Sequence, residues 1–117
     1  MVLWLTLSLS ACAVTSVDGD RMQPRSDVFS AYVEEVFRRQ SEIATELTLA
    51  LDTEAPDGDR YIALEDAELE LLTACRGLNE MAQRRREGDD IRRMGALKRA
   101  RQAPECERAT RNAAALF

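Results

Sequence analysis

Asp59-Arg60-Tyr61-Ile62-Ala63-Leu64-Glu65-Asp66-Ala67-Glu68-Leu69-Glu70-Leu71-Leu72-Thr73-Ala74-Cys75-Arg76-Gly77-Leu78-Asn79-Glu80-Met81-Ala82-Gln83-Arg84-Arg85-Arg86 is the stretch that decides the fold. Ile62, Leu64, Ala67, Leu71, Leu72, Cys75, Leu78 and Ala82 form an apolar stripe with charged residues between them. This spacing belongs to a helix with one buried face, not to the strict alternation of a half-buried strand. Asp59 is suited to cap the start. Arg84, Arg85 and Arg86 fall in the last turn, where cations complement the helix dipole, and Gly88 supplies a stop. Gly77 costs roughly 1 kcal/mol against Ala inside a helix unless it admits a close neighbour.

The same period extends to both sides. Upstream, Phe29, Val33, Val36, Phe37, Ile43, Leu47 and Leu51 recur at helical spacing, with Gln40 as an interruption. Ser26 is a good N-cap, so a helix is expected from about Asp27 to Leu51, with Pro56 and Gly58 marking the link that follows. Downstream, Asp89 or Asp90 caps a third segment whose apolar face is Ile91, Met94, Leu97 and Ala100. Pro104 either bends that helix or starts a new one as its first residue. Cys106, Ala109, Ala113 and Leu116 carry the stripe onward. The expected fold is all-α, a small up-down-up bundle of three helices with the third kinked or split at Pro104.

Composition agrees with that class. The 117 residues are 45% hydrophobic and 5% aromatic, so the core is aliphatic and Ala-rich. The net charge of −5 is unevenly spread. Residues 12–75 carry a balance of −10 and residues 76–117 a balance of +5. A basic C-terminal region packing beside acidic helices would complement charge within the molecule.

Residues 13–25 show no sustained period, and Gly19 and Pro24 lie among small and polar residues. They are expected to form an extended tether of up to ~40 Å. Before them, Met1 to Val17 hold no charged side chain. The run is too short for a comfortable transmembrane helix, which needs roughly 20 apolar residues, and has the length of a signal-peptide core. Leu9-Ser10-Ala11-Cys12 resembles the bacterial lipobox: an aliphatic residue, two small residues, then Cys. The resemblance implies removal of residues 1–11 as a signal peptide and acylation of Cys12, palmitate included. The mature chain would then have a lipidated tether over 12–25 and a helical domain over 26–117. Ala13 after the lipidated Cys, in place of an Asp retention signal, implies the outer membrane, facing the periplasm. No Lys or Arg precedes Cys12, where a signal peptide carries a positive region; a start upstream of Met1 would supply it. Two other readings stand beside this one. Cleavage after Ala13 would leave a soluble periplasmic protein, and a cytosolic chain would bury the run in its core.

Export changes the meaning of the remaining cysteines. In a cytosolic chain Cys75 and Cys106 would be ordinary core residues. In an exported chain with Cys12 acylated, the pair left over reads as a disulfide. Measured from the turn that joins the two helices, Cys75 lies about 18 Å before Glu87 and Cys106 about 24 Å after Asp90, a mismatch near one helical turn. Closing the loop would contribute roughly 3–4 kcal/mol in the chain-entropy model.

Catalytic chemistry has little to build on. The chain has no His, which excludes Ser-His-Asp and Cys-His catalysis and His-bearing zinc sites. No phosphate-binding Gly-rich motif is present, and no cofactor or metal is expected. The acidic link 52–59 fails as a calcium loop: matching Gly58 to the loop glycine puts Thr53, Ala55 and Leu64 at ligand positions. Arg84, Arg85, Arg86, Arg92 and Arg93 form the best candidate anion-binding surface. An export signal and the absence of interleaved aromatics argue against nucleic acid. The expected partners are the membrane, through the lipid anchor, and an envelope protein, anionic lipid or glycan. The leading expectation is a non-catalytic helical interaction domain on an envelope lipoprotein. The alternative is a soluble periplasmic helical protein or a spacer at a membrane or polyanion surface.

Overall fold

A computed structural model describes residues 13–24, 26–88, 98 and 101–117, with Arg85 described in its main chain alone. It is mostly helical. Three helices, α1 (Asp27–Thr53), α2 (Asp59–Arg86) and α3 (Ala103–Ala114), each pack against the other two. A two-stranded sheet, β1 (Val14–Thr15) and β2 (Arg21–Met22), precedes them.

Local chemistry sets the helix ends. Ser26 Oγ accepts the Phe29 N–H at 3.1 Å and satisfies one of the four donors that open α1. The helix runs two residues past Leu51, and the Glu54 N–H closes it on the Ala50 carbonyl at 3.2 Å. Asp59, expected as the cap of α2, is instead its first helical residue. The Gly58 carbonyl accepts the Ile62 N–H at 3.2 Å, so the cap position belongs to Gly58 and Asp59 places its charge in the first turn. Gly88 follows α2 with φ +75°, the left-handed conformation in which a helix commonly ends on glycine. Pro104 sits in the first turn of α3, where its missing N–H breaks no helical bond. The expected cap at Asp89 or Asp90 and the face Ile91, Met94, Leu97 and Ala100 lie outside the described residues.

The core is the aliphatic one that the composition implies. Val36, Ile43 and Leu47 of α1 meet Leu64, Leu71, Cys75, Leu78 and Met81 of α2 and Ala103, Cys106, Ala109 and Ala113 of α3. Full burial of a leucine such as Leu47, Leu64, Leu71 or Leu78 stabilises by about 1.5–3 kcal/mol. Three small α3 side chains, Ala103, Ala109 and Ala113, let that short helix lie close to its neighbours. Cys75 and Cys106 are joined across α2 and α3, with their Cα atoms 4.6 Å apart.

Three positions depart from the expected stripes. Ile62 and Leu72 of α2 are each 53% exposed, because they lie round the helix from the line through Leu64, Leu71 and Leu78. Gln40 is buried, and its amide donates to Asn79 Oδ1 at 2.8 Å. The apparent interruption is a hydrogen bond between α1 and α2 at core depth.

The largest difference lies in residues 14–22. In place of an extended tether, an antiparallel hairpin pairs Val14 with Met22 and Thr15 with Arg21. Gly19 has φ +90°, and the Ser16 carbonyl and Oγ accept the Gly19 and Asp20 N–H groups at 3.0 and 3.1 Å. Val14 and Met22 bury against Phe29 as a small second core. Two short apolar contacts and a turn-forming Asp18-Gly19 are enough here because the helices provide the surface on which the hairpin rests.

Candidate functional site

The hairpin is held by a polar junction that three separate elements assemble. Tyr32 comes from the second turn of α1, Glu107 and Arg111 from one face of α3 at i,i+4 spacing, and Val17 and Asp18 from the hairpin turn. Glu107 Oε1 accepts the Tyr32 hydroxyl at 2.8 Å and the Val17 N–H at 2.9 Å. Its Oε2 accepts from Arg111 Nη2 at 3.2 Å. The Arg111 guanidinium then forks onto both Asp18 carboxylate oxygens at 2.9 and 2.7 Å. The Glu107 side chain is only 16% exposed, so these three donors replace water it has lost.

Electrostatics follow the geometry. Burial, and then the hydrogen bond to Glu107, push the Tyr32 phenol above its ordinary range and keep it a neutral donor. The hydrogen bond from Arg111 holds the Asp18 carboxyl below its ordinary value of 3.8. The same bond raises Arg111 further above the usual guanidinium range. A polar cleft of about 420 Å³ opens beside this junction, with Glu35, Arg39 and Thr110 on its other walls. Chemically the junction is a clasp. Its carboxylate is occupied by three donors, and its arginine by two carboxylates.

A second cleft, about 310 Å³, lies between α1 and α2. Val33, Phe37, Leu78, Met81 and Ala82 make its apolar floor, and Glu34 and Arg86 stand at its rim. Arg86 is thus a described member of the basic cluster that borders a concave apolar surface. Arg84 is also exposed, but two residues along a helix it projects to the other side. Arg92 and Arg93 lie outside the described residues, as does the Arg85 side chain, and so does Cys12. Of the residues singled out from the sequence, Cys75 and Cys106 are brought together. The structure does not bring the described arginines onto one face.

No family model, curated protein or solved structure matches this chain.

The clasp was not visible as a site in the sequence. Two signals for it exist: the i,i+4 pair Glu107 and Arg111, and the Asp18-Gly19 dipeptide that favours a hairpin turn. Neither identifies Tyr32, which lies 75 residues from Glu107 and meets it only through the packing of α1 on α3.

Proposed function

We propose that this chain is a small bacterial envelope lipoprotein whose helical domain acts as a non-catalytic interaction module. Cys12 is its acylated residue, and the outer membrane, on the periplasmic side, is its location. The domain is an up-down-up bundle. Its near-equal α1 and α2 and the short link over 54–58 favour antiparallel neighbours. The observation that carries the reading is the pairing of Cys75 with Cys106. It leaves Cys12 as the one cysteine outside a bridge, and it is at home in an oxidising compartment.

The hairpin refines what the anchor does. Val14 begins β1, and Cys12 precedes it by two residues, a reach of about 7 Å. An acyl group on Cys12 therefore holds the bundle at the bilayer surface instead of at the end of a long tether. The clasp at Glu107 then sets which end of the bundle lies nearest the lipid.

Fractionation of Cys12→Ser against the unaltered chain tests this reading. The unaltered chain is expected in the detergent-extracted membrane fraction and the variant in the soluble fraction. Equal partition of the two would overturn it.

A further inference from the structure

We infer that the outward face of α2 is a self-association surface, and that its partner is α2 of a second copy lying antiparallel. Leu69 is 66% exposed, and Leu72 and Ile62 are each 53% exposed, round α2 from the buried Leu64, Leu71 and Leu78. These three residues share a narrow strip with Glu65 and Arg76. At 100° per residue the five fall within an arc of about 80°. Their spacing is that of a short heptad seam: Ile62, Leu69 and Arg76 are successive a positions, and Glu65 and Leu72 successive d positions.

The strip is complementary to itself in one orientation only. With a two-fold axis between Glu70 and Leu71, Leu69 faces Leu72 of the second copy and Glu65 faces Arg76, and each contact occurs twice. This is the self-complementary pattern that a two-fold interface demands. A parallel pair would instead set Glu65 against Glu65 and Arg76 against Arg76. Neither residue has a partner within its own chain among the described residues, so both are available for pairing between copies. The same antiparallel register lays the acidic first half of α2 along the basic second half of its mate, which favours encounter and fixes direction.

This inference deepens the interaction-module reading by naming the partner, but it does not depend on acylation of Cys12. Sedimentation equilibrium of the full chain in a non-ionic detergent tests it, with intact mass recorded on the same sample to report the anchor separately. The unaltered chain is expected to show a reversible monomer–dimer equilibrium. Glu65→Arg alone, or Arg76→Glu alone, places like charges at both outer contacts and weakens the dimer by about tenfold or more. The double variant E65R/R76E reverses the pairs and restores dimerisation to within about threefold of the unaltered chain. Both substituted positions are exposed, and an unchanged helical circular-dichroism spectrum confirms that each of the three variants is folded. A chain that stays monomeric, or a dimer indifferent to both single reversals, overturns the inference, as does failure of the folded double variant to recover.

Discussion

Glu107 is the residue on which the N-terminal segment depends, since it joins Val17, Tyr32 and Arg111 at once. Glu107→Ala leaves a phenol and an amide N–H without their acceptor, and destabilisation of about 2 kcal/mol is expected. Hydrogen exchange locates the effect: the Val17 amide should exchange faster in the variant while the Leu71 amide is unchanged. Equal acceleration at both would mean that the whole bundle, and not the hairpin, leans on the carboxylate. Titration gives the clasp a window of pH. Asp18 has a depressed folded value, so its contribution is complete above the ordinary 3.8 and is lost as pH falls further through the folded value. Tyr32 has a raised folded value, so its contribution is complete below the ordinary 10.0 and is lost as pH rises beyond it. Val17 amide protection is therefore expected to stay level across neutral pH and to fall at both extremes, with the Asp18→Asn variant losing the acid-side drop. Residue-level detail of this kind is poorly legible in one chain. Gln40 reads as a flaw in an apolar stripe, because its acceptor, Asn79, is supplied by another helix.

At the scale of elements, periodicity was informative and junctions were not. The spacing of Val36, Ile43 and Leu47, and of Leu64, Leu71 and Leu78, marks two long helices because burial repeats with the helical turn. The hairpin escaped that reasoning. Two-residue strands are too short to show any period, and they rest on Phe29 of α1 and on Glu107, which lies 90 residues from Val17. The cysteine pair was legible as a pair but about one turn out of register in a simple helical hairpin. The 4.6 Å Cα separation shows that α3 sits where the bridge needs it. The bridge encloses a separation of 31 residues, and its loss is expected to reduce stability by roughly 3–4 kcal/mol. Denaturant unfolding of the C75S/C106S double variant measures this directly. A change below about 0.5 kcal/mol would show that the thin core holds α3 without help.

At the scale of the whole molecule, the charge asymmetry found in the sequence reappears as a link between the ends of the chain. Arg111 from the basic C-terminal region grips Asp18 of the hairpin, and Arg60 of α2 donates to the Leu116 carbonyl at 3.0 Å. Chain ends are ordinarily the loosest parts of a small domain. Here the hairpin over 14–22 and Leu116 are tied to the helices, and the hairpin's tie brings the proposed lipid to the body of the protein. The class of fold follows from the apolar stripes alone. The proposed anchor and compartment rest on Leu9-Ser10-Ala11-Cys12 and on what the other two cysteines do. Intact mass spectrometry of the non-reduced, membrane-extracted chain examines all of these together. The expected species begins at Cys12, carries acyl groups there, and does not react with a thiol reagent after denaturation because Cys75 and Cys106 are bonded. A chain that retains residues 1–11, or one that alkylates at all three cysteines, would contradict the account.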